Sequence, residues 1–554
     1  MNTTGKRVAI IGGGPAGLVL AIELGRRGVP AILLEDDLGP PDFPKANATT
    51  SRSMEHYRRL GFAHEIRLLG LPGDFSQDIA YFTRFAEHEL ARLRGRSRRE
   101  ALLAREGPES RWPTPEPLHR TNQMYIEAVL RRHAAKWRSV DVRFGWSATG
   151  IERIGERLRV RAEHISSGKQ EAIECDFAVG CDGARSMVRR SLGIEHVGWS
   201  GEERDFFGGL MLAVYFRSPE FYDVVRAERS WQYWAVNRER RGLICSIDGR
   251  ELFVYHVQLP RGEGATEAYA RSSLALSTGR HFPFHLIGTA EWVAGFALVA
   301  ERYVDRAADP HIFVAGDAAH LFTPTGGQGY NTAIDDAVNL GWKLAAVCRS
   351  WGGSRLLESY EEERRPIAQR NTGFARAMAD SIGRIPLPDQ LEDDTPAGSR
   401  ARAELGARLL EHSQREFDIP GIHFGVWYGN SRVVTPDGSA PPVDDWHRYA
   451  PHAVPGARAP HVWVENDESI FDRFGIDFTL LRLGPGIHRD VRAFETAATA
   501  RGARLAVCDV PIDEARDLYA RDLVLVRPDQ HIAWRGNTVP DDVKAVVDRS
   551  LGFG

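Results

Sequence analysis

The chain has 554 residues and a formal net charge of −4, with acidic and basic residues interspersed. Its length predicts two or three domains, and its charge balance argues against a nucleic-acid partner. The sequence shows no apolar segment of membrane-spanning length, so we expect no membrane partner. The five cysteines are scattered without a C-x-x-C pair, which predicts no metal site and no disulfide and favours the reducing cytoplasm.

The N-terminal segment has the pattern of a dinucleotide-binding unit. A short β-branched run leads into a glycine-rich turn, a helical pattern follows, and a second apolar strand ends in Glu35. In the motif G-x-G-x-x-G, Gly12 permits the tight turn, Gly14 lets the backbone approach a pyrophosphate, and Gly17 lets the helix pack on the strand. The Glu35 carboxylate can accept hydrogen bonds from a ribose diol. We therefore predict a site for the ADP moiety of FAD or NAD.

The middle of the chain changes its pattern twice. Residues 74–117 are rich in Arg, Glu and Pro and are predicted to form a loop excursion, whereas 124–137 is predicted to be a helix. A buried strand at 176–180 leads to Asp182. From about 193 to 302 the residues alternate as in an antiparallel sheet. Its strands are expected at 210–216, 231–236, 242–247 and 252–258.

A second nucleotide-like element lies far downstream. An apolar run delivers Gly316 and Asp317, and a loop rich in Pro and Gly then opens a helix at Asn331. A strand that ends in an acid, followed by a loop of exposed N–H groups, is typical of a site for a polar, partly anionic ligand. An NAD dehydrogenase would complete its site within about 150 residues of the first motif. The separation therefore predicts FAD, with Asp317 near the ribityl chain. Helices are expected at 331–348 and 358–378.

Three motifs together resemble those of the class A flavoprotein monooxygenases, the single-component FAD-dependent aromatic hydroxylases of the phenol and polyketide hydroxylase type. The motifs are Gly12–Gly17 with Glu35, the segment Cys181–Arg189, which fits D-G-x-x-S-x-V-R, and the segment Gly316–Asn331. Tyr360–Pro366 also resembles a helix-ending segment of the family. The resemblance covers nearly the whole chain. It implies an enzyme that consumes NAD(P)H and dioxygen and hydroxylates a phenolic or polycyclic aromatic substrate through a flavin C4a-hydroperoxide.

The resemblance also implies the domain organisation. The fold class is α/β (α+β overall), with a Rossmann-like FAD-binding domain, an antiparallel-sheet substrate domain and a thioredoxin-like C-terminal domain. Pro455–His461 resembles the entry to that last domain. Thioredoxin chemistry needs two nearby thiols, and Cys508 is alone there, so we expect a structural or interface role. The domains are expected at 1–192 with 303–394, at 193–302, and at 395–554, and the C-terminal strands at 478–482, 505–508 and 523–528.

Several cofactor residues follow only from the resemblance. Lys45 stands where relatives often carry Arg, Arg52 matches an arginine near the cofactor, and Arg120 with Gln123 matches an Arg-x-x-Gln that touches the flavin. A helix-start salt bridge for Arg120 and a surface position for Lys45 are the structural alternatives. Transient NAD(P)H binding is expected near Asp182. The complete predicted set is Gly12, Gly14, Pro15, Ala16, Gly17, Glu35, Lys45, Arg52, Arg120, Gln123, Asp182, Gly316, Asp317, Pro324, Gly327, Gln328, Gly329, Tyr330 and Asn331.

The loop containing Pro324 and Gly327 is predicted to position the flavin ring, and Thr323 stands where relatives often have a proline, which predicts a less rigid loop. The sequence identifies no catalytic base. Asn47 falls near the position of a family acid, and an amide cannot act as a base. Tyr233 and His256 are therefore the fallback candidates. The predicted sheet offers five side chains for the substrate wall or for sheet packing: Tyr215, Trp231, Tyr233, His256 and Phe296.

Other classes of protein share part of this pattern. A flavin oxidase or dehydrogenase, which abstracts a hydride, has the first motif but usually lacks the other two. A flavin halogenase carries W-x-W-x-I-P, which this sequence does not contain. A non-catalytic flavin-binding scaffold is disfavoured because the motifs for both ends of the cofactor are intact. We expect a monomer or homodimer whose partners are a small aromatic substrate and dioxygen.

Overall fold

A computed structural model describes residues 5–200, 204, 206–307, 309–465, 467–485 and 489–553. Its strands are β1 Val8–Ile11, β2 Ala31–Glu35, β3 Ile79–Phe82, β4 Glu89–Leu93, β5 Val140–Phe144, β6 Trp146–Ile154, β7 Arg157–His164, β8 Gln170–Cys175, β9 Phe177–Gly180, β10 His196–Trp199, β11 Gly209–Arg217, β12 Gln232–Ala235, β13 Gly242–Ser246, β14 Leu252–Gln258, β15 His285–Ala294, β16 Ala297–Ala300, β17 Ile312–Val314, β18 His320–Leu321, β19 Trp463–Glu465, β20 Glu468–Ser469, β21 Phe478–Leu483, β22 Leu505–Val510, β23 Leu523–Val526 and β24 Ile532–Gly536.

The helices are α1 Pro15–Arg26, α2 Ser51–Leu60, α3 Ala63–Arg67, α4 Arg98–Leu103, α5 Gln123–Ala134, α6 Met187–Ser191, α7 Phe221–Val225, α8 Glu267–Thr278, α9 Gln328–Cys348, α10 Arg355–Gly383, α11 Pro396–Phe417, α12 Pro420–Phe424, α13 Arg492–Ala500, α14 Asp513–Tyr519 and α15 Val543–Ser550. Short 3₁₀ turns lie at Gly316–Ala318, Thr325–Gly327 and Ile470–Arg473. In the described ranges, none of these helices is both long enough and apolar enough to span a membrane.

The nucleotide-binding sheet is parallel and has the order β17-β9-β1-β2-β5. Its apolar strands are buried on both faces, as the β-branched composition of β1 predicts. Because parallel strands end at one edge, the loops after β1, β2, β9 and β17 meet there. The three sequence motifs and Glu35 therefore converge, which confirms the predicted Rossmann-like architecture.

A larger sheet has the order β15-β11-β14-β13-β12-β3-β4. Its strands pair antiparallel except β12 and β3, which run parallel. The four strands predicted between 193 and 302 are confirmed as β11 to β14. The prediction of a loop for 74–117 was wrong, since β3 and β4 extend this sheet and α4 follows them. The short apolar run of β3 is stabilised by pairing with β12, which lies about one hundred and fifty residues away along the chain.

The two faces of this sheet have different neighbours because successive side chains alternate. On one face, Tyr233 and Tyr255 pack against α7 and α8. The opposite face carries Met211, Tyr215 and Trp234, and side chains of α10 and α11 pack on it. We call this second surface the pocket face.

The C-terminal sheet has the order β22-β21-β23-β24. Strands β21 and β22 are parallel, β23 and β24 are antiparallel to their neighbours, and α13, α14 and α15 connect or follow them. This order and these directions are those of a thioredoxin-like fold, as predicted. Cys508 lies on β22 as a free, partly exposed thiol.

Buried charges join this C-terminal unit to the long helices of the nucleotide-binding unit. Both terminal nitrogens of Arg527 donate to Glu363 on α10 at 2.7 Å, and Lys343 on α9 donates to the same carboxylate at 2.7 Å. Arg527 also contacts Asp529 at 2.6 Å. The neighbouring cations lower the pKa of Glu363 although burial opposes them. These buried hydrogen bonds and ion pairs anchor the C-terminal unit to α9 and α10.

Helix α10 corrects one sequence prediction. Pro366 lies inside the helix, so the prediction that Tyr360–Pro366 ends a helix was wrong. The segment instead anchors the helix to the nucleotide-binding unit: Tyr360 donates its hydroxyl hydrogen to the Val314 carbonyl at 2.9 Å. This tertiary hydrogen bond helps to offset the backbone hydrogen bond that is missing at Pro366.

Candidate active site

The glycine turn after β1 fits a pyrophosphate. Gly12 has φ +102°, and a Cβ there would lie 2.2 Å from the Cys181 carbonyl oxygen. A Cβ on Gly17 would lie 2.0 Å from the Gly12 carbonyl, so helix and turn pack too closely for any side chain. In contrast, a Cβ on Gly14 would meet no atom within 4 Å. Gly14 caps α1 without a side-chain hydrogen bond, which leaves backbone N–H groups for an anion.

Glu35 braces this turn from the end of β2. Its carboxylate accepts hydrogen bonds from the Gly13 N–H and, at 3.1 Å, from the Asp37 N–H. Burial raises its pKa, and the two backbone hydrogen bonds oppose that effect. Each carboxylate oxygen can accept more than one hydrogen bond. The contact with a ribose therefore stays a prediction beside this bracing role.

Asp182 organises the second motif. Its Oδ2 accepts hydrogen bonds from the Met187 N–H at 2.7 Å and the Val188 N–H at 3.1 Å, which caps α6. Its Oδ1 is buried and has no hydrogen-bond partner among the described residues. Arg189 donates to the carbonyls of Ala184 and Ala318 at 3.1 and 3.3 Å. The second motif is thereby tied to the third.

The third motif begins where Gly316 packs between α1 and α9. A Cβ on Gly316, whose φ is +62°, would lie 3.2 Å from the Cβ atoms of Ala16 and Ala333. The next residue, Asp317, extends from this junction and is accessible to solvent, although protein atoms surround its carboxylate. Surrounding protein atoms raise its pKa by desolvation, and the nearby charges of His320 and Lys45 oppose the rise. An acid held here beside α1 fits the hydroxyl groups of a ribityl chain.

Three buried residues that were not predicted as site residues, His320, Asp336 and Arg364, support this junction. His320 Nε2 lies 2.7 Å from Asp336 Oδ2, and the Gly316 N–H donates to the same oxygen at 3.2 Å. Arg364 donates to Asp336 Oδ1 at 2.8 Å. Arg364 belongs to the Tyr360–Pro366 segment, so the sequence motif already pointed to this position. No sequence motif pointed to its partner Asp336.

The segment Thr323–Asn331, which we call the flavin loop, is pinned by its own side chains. Thr323 is buried, and its hydroxyl lies 2.9 Å from that of Thr325. Thr325 in turn donates to the Ala375 carbonyl of α10 at 2.5 Å. A hydrogen bond thus fixes the position where relatives often have a proline ring.

Glu416, at the end of α11, holds the centre of the flavin loop. The Gly326 N–H donates to Glu416 Oε1 at 2.9 Å, and His412 Nε2 lies 2.9 Å from the other carboxylate oxygen. Gly326 and Gly327 have φ of +68° and +64°. A Cβ on Gly326 would lie 2.5 Å from the Phe374 ring. Sequence reasoning missed Glu416 because it lies on a helix with no motif.

The predicted side-chain contacts of Gln328, Tyr330 and Asn331 are made within the protein. Asn331 Oδ1 accepts hydrogen bonds from the Thr50 N–H at 2.8 Å and from Ser53 at 2.7 Å. Gln328 donates to the Gly326 carbonyl at 2.7 Å, and the Tyr330 hydroxyl contacts that of Tyr57. The N-cap of α9 has no side-chain hydrogen bond. The backbone N–H groups from Gln328 onward, Gly329 included, are therefore the donors that face outward from this helix end.

Arg52, Lys45 and Gln123 have different surroundings. Arg52 donates to Glu55 at 2.9 Å, to Gln530 at 2.7 Å and to the Asp529 carbonyl at 2.6 Å. Its guanidinium bridges to the C-terminal unit, and the cofactor contact implied for Arg52 stays a prediction. Gln123 donates to Glu127 at 2.6 Å, and the exposed Lys45 lies within electrostatic reach of Glu127. The cofactor contacts implied for Lys45 and Gln123 stay predictions.

Arg120 lies against the pocket face. Its guanidinium carbon is 3.7 Å from the centroid of the Trp231 ring and 5.9 Å from that of Phe417. The structural alternative, a helix-start salt bridge, does not form with any described residue, and the Arg120 Nε has no acceptor. Nearby, Asn47 Oδ1 accepts a hydrogen bond from Asn122 at 2.5 Å.

The two fallback bases lie on opposite faces of the large sheet. The Tyr233 hydroxyl accepts a hydrogen bond from the Ser230 N–H at 2.7 Å, and the ring packs on Phe221 away from the pocket face. The prediction of Tyr233 as a catalytic or wall residue was therefore wrong. His256 faces the other way, edge-on to Trp292 with a centroid distance of 5.7 Å. Burial lowers its pKa to about 4, so the imidazole is neutral at neutral pH.

The three remaining candidates for the substrate wall also lie in different places. Tyr215 lies on the pocket face and meets Phe43 edge-on at 6.0 Å between centroids. Trp231 belongs to the same cluster beneath Arg120. Phe296 lies in the turn between β15 and β16, outside the large sheet, and is half-buried.

This geometry agrees with the family models that match the chain. The model of the FAD binding domain matches residues 6–375, and that of the aromatic-ring hydroxylase C-terminal domain matches 452–553. The chain belongs to the class A FAD-dependent aromatic monooxygenases. It is an FAD-dependent aromatic hydroxylase, and use of NAD(P)H as electron donor is typical of its family.

Individual relatives match over nearly their whole lengths. The FAD-dependent monooxygenase apdD of Emericella nidulans is 30% identical, over 99% of this chain and 90% of that protein. The phenol 2-monooxygenase of a Pseudomonas species is 26% identical, over 98% and 91%. Among solved structures, RebC with bound 7-carboxy-K252c is 32% identical with a TM-score of 0.87 over 99% of both chains. The flavin-dependent monooxygenase PieE, in complex with FAD and substrate, has a TM-score of 0.86 at 26% identity over 99% of both.

Proposed function

We propose that this enzyme inserts one oxygen atom of dioxygen into a polycyclic phenolic substrate that lies between the pocket face and the flavin loop. One observation carries the proposal. Ala48 packs with the pocket-face cluster, and a Cβ on Gly327 of the flavin loop would lie 3.1 Å from the Ala48 Cβ. The aromatic surface of the sheet and the predicted flavin position are therefore neighbours.

A large, flat substrate is favoured by the composition of the pocket face. Tyr215, Trp231 and Trp234 provide aromatic surface, which suits stacked or edge-on contacts with fused rings. Among the solved relatives, RebC contains bound 7-carboxy-K252c, and a curated relative is a putative polyketide hydroxylase of Streptomyces halstedii, 29% identical over 95% of this chain. These names support a polycyclic substrate over a simple phenol.

Different groups of the protein would bind and position the parts of FAD. The N–H groups at the start of α1 would hold the pyrophosphate, Asp317 the ribityl chain, and the backbone at the start of α9 the flavin ring. When bound and reduced, the flavin supplies the activation of dioxygen. The overall reaction consumes one aromatic C–H, dioxygen, NAD(P)H and a proton, and yields a phenol, water and NAD(P)⁺.

His256 is the hydrogen-bond acceptor that the pocket face offers. Its Nδ1 is buried and has no hydrogen-bond partner among the described residues. Because burial keeps the imidazole neutral, one of its ring nitrogens can accept a hydrogen bond from a substrate hydroxyl, while the same lowered pKa makes it too weak a base to take the proton outright. A hydrogen bond accepted from the hydroxyl polarises its O–H bond, which makes the aromatic ring more electron-rich towards an electrophilic oxygen.

The test is a coupled hydroxylation assay with the FAD-loaded enzyme. A panel of phenol, 1-naphthol and hydroxylated anthraquinones is supplied with NADH or NADPH and with ¹⁸O₂. The proposal predicts that a polycyclic phenol accelerates NAD(P)H oxidation several-fold and gains one ¹⁸O atom. Hydrogen peroxide release with dehydrogenation of an alcohol or amine would instead support an oxidase. The five free thiols support the cytoplasm as the compartment, and a monomer or homodimer is the proposed assembly.

A further inference from the structure

Arg120 is a buried cation with no carboxylate in hydrogen-bonding contact among the described residues. Only 9% of the residue is exposed, its Nε is buried without an acceptor, and no hydrogen bond or ion pair of the guanidinium is formed with the described part of the chain. Its contacts are the rings of Trp231 and Phe417. Most arginines buried as deeply in this protein, such as Arg364, Arg458 and Arg527, contact a carboxylate within 3 Å. Arg120 therefore differs from them.

The groups nearest to Arg120 do not balance its charge. Burial raises the pKa of Cys245 to about 12 and lowers that of His423 to about 3, so both are neutral at neutral pH. Glu416 is within electrostatic reach, but no hydrogen bond or ion pair joins it to Arg120 in the described part of the chain, and its Oε1 accepts the Gly326 N–H. Burial lowers the pKa of Arg120 to about 9, which reflects the missing partner.

The position of the guanidinium is that of a substrate contact. It stacks on Trp231, which belongs to the pocket-face cluster, and it neighbours Phe417, next to the residue that holds the flavin loop. Stacking on an indole fixes the plane of the guanidinium and leaves its N–H edges for a planar, two-oxygen partner. An arginine in such a site recognises a carboxylate through two parallel hydrogen bonds, which a lysine cannot do.

We propose that Arg120 is a specificity-determining residue that binds a carboxylate of the aromatic substrate. The substrate class is then an aromatic carboxylic acid, with its acid group on Trp231 and its rings along the pocket face. This inference deepens the proposed function and rests on it. It also replaces the cofactor contact that sequence resemblance implied for Arg120.

The test measures ligand binding to the FAD-loaded enzyme, so it needs no turnover. The probes are 1-hydroxy-2-naphthoate and anthraquinone-2-carboxylate, each paired with its neutral amide, and binding is followed by the change in flavin absorbance or by calorimetry. We expect at least one carboxylate to bind at least tenfold more tightly than its amide. In Arg120→Gln that ratio should fall to about one, and Arg120→Lys should restore only part of it.

A matched control lies on helix α5, which begins three residues after Arg120. Arg131 on α5 also stacks on an aromatic ring, with its guanidinium carbon 4.2 Å from the Phe144 centroid, but it lies away from the pocket-face cluster. Arg131→Gln should keep the wild-type preference. The proposal is overturned if no carboxylate binds better than its amide, or if Arg120→Gln keeps the preference. Loss of FAD from Arg120→Gln with an unchanged ratio after reconstitution would overturn it in favour of a cofactor contact. These outcomes concern ligand binding only. They therefore test the role of Arg120 even if the enzyme forms no hydroxylated product from these probes.

Discussion

Glu416 offers a direct test of how the flavin loop is held. Its Oε1 accepts the Gly326 N–H at 2.9 Å, and the carboxylate is buried. A hydrogen bond to a buried charged group contributes about 1.5–3 kcal/mol, whereas a neutral one contributes about 0.5–1.5 kcal/mol. Replacing Glu416 by Gln keeps an acceptor oxygen but removes the charge. The expected loss is therefore about 1–2 kcal/mol of loop ordering.

If the ordered loop is needed to bind FAD, that loss lowers FAD affinity by about 5- to 30-fold. Titration of the apoprotein with FAD, followed by flavin fluorescence, measures the effect. Glu416→Ala should lose more, because no acceptor remains for the Gly326 N–H. Glu411→Gln is the control, since Glu411 is exposed on the same helix. Unchanged FAD affinity in both Glu416 variants would refute the reasoning that this carboxylate orders the loop.

Three further predictions follow from buried charges and from the pocket face. Glu363→Gln leaves Lys343 and Arg527 short of one buried negative charge, so the free energy of unfolding should fall by about 3–5 kcal/mol in urea titrations; no change would mean that the network is not stabilising. Burial lowers the pKa of several histidines, so the unfolded chain binds protons first as the pH falls. The stability that depends on them is complete above about pH 6.5 and falls between about pH 6.5 and 3, by up to about 1.4 kcal/mol per pH unit for each histidine. They include His56, His119, His256, His423 and His461. Tyr233→Phe should leave kcat within about twofold, whereas His256→Gln should slow substrate-dependent NAD(P)H oxidation by about 10²-fold or more; equal effects of the two would argue against the assignment of faces.

The nucleotide site could be predicted because its determinants are local. The glycines, the strand before them and Glu35 lie within one short stretch, and the backbone geometry of Gly12 follows from that stretch. The meeting of Gly316 with α1 required one general rule, that parallel strands end at a common edge. Such rules need no knowledge of distant contacts.

The substrate side could be predicted only in part, because its determinants are not local. Alternation indicates that Tyr233 and Trp234 face opposite ways, but it does not tell which face meets the flavin loop. Strand β3 lies in a segment whose composition indicates a loop, and only its pairing with β12 makes it a strand. Glu416 reaches Gly326 from 90 residues further along the chain. Contacts of this kind appear only when the tertiary structure is known.

The glycine turn after β1 and the acid after β17 are predicted to bind the two ends of one FAD molecule. The most direct measurement is the FAD dissociation constant of Gly14→Val and Asp317→Ala beside the wild type. A valine would project into the open space in front of Gly14, and the alanine removes the carboxylate that is predicted to face the ribityl chain. We predict that each variant binds FAD at least tenfold more weakly and is purified largely colourless. Wild-type affinity and full flavin content in Asp317→Ala would contradict the account.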